Sequence, residues 1–196
     1  MPIWRVISDT EMFDALVSGR WHFLAAAVVF CSVLGCEGRR SNSRFTNLQC
    51  ESYSESFATF SKCKLNLLAR GRAGVNIHCQ LHKTPITNVW MNWSMYRRYN
   101  GWRPFMYNVS KNFCQLMANV NDVSFEGLVI NAIMTGSNLN HTCPYNHDII
   151  LDNLEFTDDL LKTLPLPKGD YKIQLRFASD KTWRLQVSVF FARDEQ

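Results

Sequence analysis

Three stretches of period-two alternation decide what this chain can become. Val75, Ile77, Cys79 and Leu81 alternate with Asn76, His78, Gln80 and His82. Tyr171, Ile173, Leu175 and Phe177 alternate with Lys172, Gln174 and Arg176, and Leu185, Val187, Val189 and Phe191 with Gln186, Ser188 and Phe190. Apolar residues two apart share one face of a strand but scatter around a helix. Each stretch is therefore a strand with one face in a core. The last two flank Ser179-Asp180-Lys181 and form a hairpin. Strands of this kind need a second apolar face to cover them, which points to an all-β sandwich.

The N-terminal segment belongs to targeting rather than to the fold. Phe23–Leu34 is a twelve-residue apolar run preceded by Arg20 and His22 and followed by the small residues Gly35, Cys36 and Gly38. Twelve residues are too few to span a bilayer, and the pattern is that of a cleavable signal peptide. Residues 1–36 are read as the signal region, with cleavage between Gly35 and Gly38, and 37–196 as a single domain. Asp9, Glu11 and Asp14 are acidic where a signal is basic, which makes Met12 a candidate start. A remaining chain of about 160 residues suits one domain. The formal charge is +4, and the lysines and arginines are scattered rather than gathered into a stripe, which argues against nucleic acid as a partner.

Three sequons agree with secretion: Asn92, Asn108 and Asn140 each begin an Asn-x-Ser/Thr triplet. They also orient two further strands. With Asn92 outside, Val89, Met91, Trp93 and Met95 point inward; with Asn108 outside, Phe105, Tyr107 and Val109 do. One helical stretch follows, where Phe125, Leu128, Val129, Ala132 and Ile133 make an i, i+3, i+4, i+7, i+8 stripe. Asp122 is placed to cap it and Gly136 to end it as a C′ residue. Phe113, Leu116, Met117 and Val120 suggest a shorter helical turn before it.

In an oxidising compartment the five cysteines beyond the signal leave one unpaired. Cys79 lies on the inward face of its strand and reads as a buried free thiol. Cys50 and Cys63 sit symmetrically about Glu55-Ser56-Phe57, as if opposite each other in a hairpin, which leaves Cys114 with Cys143. His141, Cys143, His147 and Asp148 are all metal-ligand types within eight residues, but they lack the paired spacing of a zinc site; no metal and no cofactor is expected, and the two histidines read as loop residues.

Several motifs together resemble a known family: Phe45-Thr-Asn47, Pro85-Ile-Thr-Asn-Val89, Asn100-Gly-Trp-Arg-Pro-Phe105, Tyr107-Asn-Val109, Phe113-Cys114, His141-Thr-Cys-Pro-Tyr-Asn146 and Leu164-Pro-Leu-Pro-Lys-Gly169. From residue 45 to 191 the chain resembles an insect family of uncharacterised secreted proteins, a domain of unknown function with CheB-like chemosensory relatives. That family in turn is similar to the ML lipid-recognition superfamily, which includes ganglioside activator-like proteins. The resemblance implies an immunoglobulin-like β-sandwich with a short helical insertion, whose sheets part to admit a lipid. It also supports the Cys114–Cys143 bridge.

For function, the residues favour binding over catalysis. No Gly-x-Ser-x-Gly elbow, His-Glu-x-x-His or phosphate loop occurs, and Asp158-Asp159 reads as a helix cap. Thirteen Phe, six Trp, six Tyr and seven Met supply large, soft side chains for an apolar pocket. The expected ligand is a hydrophobic small molecule, held by Met91, Trp93, Met95, Phe105, Tyr107, Phe125, Leu128, Ile133, Leu175 and Phe177; the family resemblance implies a lipid or a cuticular hydrocarbon and a chemosensory or pheromone role. The alternative is a protein-interaction module acting on a receptor or channel, with Asn100–Pro104 as contact turn. A cavity of about 300 Å³ or more decides for lipid, a packed interior for the partner.

Overall fold

The computed structural model describes residues 43–69, 72–119, 125–155 and 166–194, without the side chains of Phe125, Glu126 and Leu128. Eight strands and two helices follow one another as β1 (Ser43–Ser52), β2 (Ala58–Ala69), β3 (Arg72–Leu81), β4 (Trp90–Tyr99), β5 (Gly101–Asn112), α1 (Phe113–Ala118), α2 (Phe125–Thr135), β6 (Ile149–Glu155), β7 (Gly169–Ser179) and β8 (Thr182–Arg193). The strands form two antiparallel sheets, one of five strands in the order β1-β8-β7-β4-β5 and one of three in the order β2-β3-β6. The expected all-β, immunoglobulin-like sandwich is thus the fold. The signal region, Asp122, Val120 and Asp158-Asp159 lie outside the described residues.

The alternating stretches behave as their period requires. Tyr171, Ile173 and Leu175 on β7 and Leu185, Val187 and Phe191 on β8 are buried, and the two strands meet at a turn in which Asp180 (φ 53°) and Lys181 (φ 61°) are both left-handed. Two consecutive positive φ values define the type I′ turn, whose twist matches that of a hairpin. On β3, Val75, Ile77 and Cys79 are buried as expected, but so is Asn76, with no exposed surface. Asn76 sits opposite a bulge in β6, where its amide donates to Asn153 Oδ1 (3.0 Å) and Gly74 O (3.3 Å). Asn153 takes φ 49° there, and a Cβ on Gly74 would lie 2.9 Å from the Asn153 Cα. Hydrogen bonding, rather than solvent, satisfies this face of β3.

Both disulfides form as the sequence reading paired them, Cys50–Cys63 and Cys114–Cys143, and Cys79 is free and buried. The geometry of the first differs from the expected hairpin. β1 belongs to the large sheet and β2 to the small one, so Cys50–Cys63 joins the sheets across the sandwich instead of lying within a strand pair. Gly136 also departs from expectation. It follows α2 but does not adopt positive φ; instead its carbonyl accepts from Asp152 N (2.9 Å), and a Cβ would meet Leu154 Cδ1 at 3.3 Å. Close approach to β6, not a left-handed cap, is what crowds that position.

Candidate functional site

Between the sheets lies a cavity of about 220 Å³. The large sheet contributes Met91 and Trp93 from β4, Ile173, Leu175 and Phe177 from β7, and Leu185 and Val187 from β8. Facing them are Val75, Ile77 and Cys79 of β3 and Leu151 and Leu154 of β6. Helix α2 contributes Val129, Ile130 and Ile133, so the stripe expected to cover the pocket does border it. Nearly all of the lining surface is carbon; the lining side chains that carry nitrogen or oxygen are those of Ser179, Arg184, Glu155, Tyr145 and Trp93.

Of the expected site residues, Met91, Trp93, Ile133, Leu175 and Phe177 line the cavity. Met95, Phe105 and Tyr107 do not. Met95 is fully enclosed, while Phe105 and Tyr107 are half-buried on β5, the edge strand. Their inward parity is right, but a three-stranded sheet cannot cover a five-stranded one, and the β5 row falls beyond it. A bulge opens the β4–β5 ladder at the same place: Ser94 pairs with Asn108 but Tyr96 with Pro104, and Met106 takes φ 60°. Phe105 packs on the Tyr171 ring instead, 5.8 Å away. Phe125 and Leu128 side chains lie outside the described residues.

The residues that the sequence reading missed come from segments without a clear period. Phe57 precedes β2 and Phe60 lies early in it, Ile86 lies in the stretch before β4, and Tyr145 precedes β6. Ile86 and Tyr145 exchange both backbone hydrogen bonds (2.8 and 3.0 Å), and the Cys114–Cys143 bridge ties the same loop to α1. Tyr145 is 2 % exposed. Its hydroxyl donates to the His141 carbonyl, and burial pushes the phenol up to about 12. The His141 ring packs tilted against Tyr145, centroids 4.7 Å apart, and its Nε2 is 2.8 Å from that of His147. Among the described residues no three potential ligands converge on a metal position. Asp148 is structural: it accepts from the Leu81 amide (3.1 Å) and from His78 Nε2 (3.0 Å), which hold its carboxyl below the usual range.

The sequon asparagines do not share one environment. Asn108 and Asn140 are exposed, but Asn92, expected in solvent, is 5 % exposed. Its Nδ2 donates to Asn108 Oδ1 and Ser110 Oγ (both 3.0 Å), and its Oδ1 accepts from Ser94 Oγ and Arg176 Nη2 (both 3.0 Å). Asn92 still faces away from the cavity, so the parity argument held while its premise of solvent exposure did not. Asn92 lies under a polar layer on the outer face.

Fold and site together define a two-sheet β-sandwich enclosing an apolar cavity. Residues 91–173, the segment from β4 into β7, match a family described as protein of unknown function (DUF1091). Among solved structures the chain is similar to a Niemann-Pick type C2 protein from Japanese carpenter ant, at 13 % identity and a TM-score of 0.32, over 81 % of this chain and 96 % of that one. No curated protein matches.

Proposed function

We propose that this chain is a secreted binding protein for a hydrophobic small molecule, a lipid or hydrocarbon with a single slim chain. The cavity carries the reading: it is smaller than the about 300 Å³ set above for a lipid, but the interior is not packed. Leaving about 220 Å³ unfilled in a core costs roughly 5 kcal/mol at about 24 cal/mol per Å³. That is a large share of the stability of a domain this size, and a ligand that fills the space returns it. The volume falls below the about 300 Å³ of drug-sized sites, which favours a narrow aliphatic chain over a bulky ring system. Cys79 borders the cavity, but burial pushes its thiol up to about 12, so it stays protonated and is a poor nucleophile. Binding rather than catalysis fits that chemistry. Two disulfides suit an oxidising compartment, and the resemblance to chemosensory insect relatives favours a cuticular-hydrocarbon-type ligand.

Trp93 lines the cavity at 3 % exposure and reports on it. Titration with alkanes, fatty acids and glycolipids, followed by tryptophan fluorescence, tests the proposal, with Trp93→Phe as the control for assignment. Affinity is expected to rise about fourfold per methylene, as about 0.8 kcal/mol per buried CH₂ dictates, and to level off once the cavity is full. An absence of binding by every apolar ligand at micromolar concentration refutes the reading.

A further inference from the structure

The cations of this chain are scattered along the sequence, but the ladders of the large sheet gather several of them at one end. Arg97 and Arg98 lead into the β4–β5 turn and Arg103 leads out of it. Arg97 lies opposite Tyr171 of β7, and Gly169, at the start of β7, lies opposite Arg193 of β8. Lys168 and Lys172 flank that start. Neighbouring strands stand about 4.8 Å apart, so from Arg103 on β5 to Arg193 on β8 the cations form a row roughly 14 Å long. Carboxylates do not balance it. Asp194 is taken by Arg44, and the other ion pairs among the described residues belong to Lys62, Arg72 and His78, so none reaches Arg97, Arg98, Arg103 or Lys172. Asp170 is the one described carboxylate at this end of the sheet outside an ion pair.

Stability does not account for the arrangement. Arg97 and Arg103 stand directly opposite each other in the β4–β5 ladder, a placement in which like charges repel. Arg98 and Arg103 are exposed. Arg97 is held in place: its Nη2 donates to the Lys168 carbonyl (2.8 Å), its guanidinium lies 5.1 Å from the Tyr99 ring centroid, and a Cβ on Gly169 would come within 3.2 Å of its Nε. Lys172 Nζ stands 4.1 Å over the Tyr96 ring. Charges already held in place lose little side-chain freedom when a partner binds. Met95, Tyr171 and Phe191 fill the core behind them, so this surface does not depend on the cavity.

We propose that this end of the large sheet binds a sulfated polysaccharide. Arginine forks match the oxygens of a sulfate group as they do those of a phosphate, and a linear chain with charges fixed along it suits a row of cations. Two disulfides suit an oxidising compartment, where nucleic acid is not the polyanion at hand, and the negative surface potential of membranes belongs to the cytoplasmic leaflet. Sulfated sugar is the linear polyanion that remains. The test titrates the intact, disulfide-bonded protein by calorimetry with a heparin octasaccharide, with the same oligosaccharide stripped of sulfate, and with phosphatidylcholine–phosphatidylserine vesicles. Micromolar binding of the sulfated form alone is expected, weakening as salt rises. Arg98→Gln with Arg103→Gln should lose on the order of 25-fold in affinity, about fivefold for each cation taken from a polyanionic surface. Lys64→Gln with Lys83→Gln, which removes the same charge from exposed positions elsewhere, should leave affinity unchanged. The arginine variant should unfold at no lower urea concentration than the native chain, since it relieves the opposition of Arg97 and Arg103, and its lost binding is then not lost folding. No binding of the sulfated oligosaccharide, equal binding of the desulfated one, an equal loss in the lysine variant, or tighter binding to the vesicles overturns the proposal. So does a lowered urea midpoint, which would make the two arginines part of the fold.

Discussion

Replacing Asn92 with leucine removes the centre of the polar layer on the outer face of the large sheet without a great change in volume. The amide makes two short donor bonds, to Asn108 and Ser110, and two short acceptor bonds, from Ser94 and Arg176, all at 3.0 Å. At about 1 kcal/mol each the four are worth roughly 4 kcal/mol. Part of that returns, because Asn108 is exposed and Arg176 half-buried and water replaces the lost partner. Ser94, 4 % exposed, keeps its bond to Asn108 Oδ1 at 3.2 Å. The net loss is therefore about 2–3 kcal/mol, or roughly 5–10 °C in Tm for a domain of this length. Urea unfolding monitored by fluorescence, with an unchanged m-value as the two-state check, measures it. A loss below about 0.5 kcal/mol, the range of ordinary surface changes, would show that this layer is solvated and refute the account. The same geometry predicts glycan occupancy: mass spectrometry of the secreted protein should find sugar on Asn108 and Asn140 and none on Asn92, whose nitrogen cannot keep both donor bonds and carry a glycan.

Further expectations follow from single residues. Asp148 is held below its ordinary pKa by the Leu81 amide and His78. A depressed carboxylate stabilises above its unfolded pKa near 3.9 and loses that contribution as pH falls through the lower folded value. Acid unfolding curves should therefore flatten below about pH 4 in Asp148→Asn. The Cys79 thiol, pushed up to about 12, should resist iodoacetamide at pH 8 in the folded protein and react fully in denaturant; fast modification of native protein would place it outside the core. Lys181 holds φ 61° in the type I′ turn, a conformation costing about 1–2 kcal/mol for a residue with a Cβ. Lys181→Gly should raise the urea midpoint accordingly, net of the backbone freedom glycine gains when unfolded, and a lowered midpoint would contradict the turn assignment.

The large sheet was readable because its inward rows are long and strictly periodic: β7 and β8 declare themselves, and the sequon parity placed Met91 and Trp93 correctly even though Asn92 is buried. The cysteine pairing was readable too, since Cys79 sits on an inward row. The pocket was less so. Part of its wall comes from Phe57, Ile86 and Tyr145, in turns and short bridges where no period exists to count. Phe105 and Tyr107 show the opposite failure: parity gives the face of a strand but not whether another sheet lies over it. Arg184, among the lining residues, was hidden for a third reason: Phe177 pairs with Leu185 but Ala178 with Trp183, and a one-residue bulge inverts the parity on which every other assignment depends.

The two disulfides set how a guest can exchange. Cys50–Cys63 clasps the flank where β1 of one sheet adjoins β2 of the other, and Cys114–Cys143 clasps the opposite flank, joining the helix after β5 to the loop before β6. With both seams stitched, the sheets cannot swing apart along either side, and passage is confined to the ends of the sandwich. On the proposed reading traffic would be single-file: the tail would enter or leave lengthwise through an end, so residence time would depend on chain length through friction as well as affinity. Cutting one clasp by reduction would open a side door and shorten that residence before it weakened the grip at equilibrium.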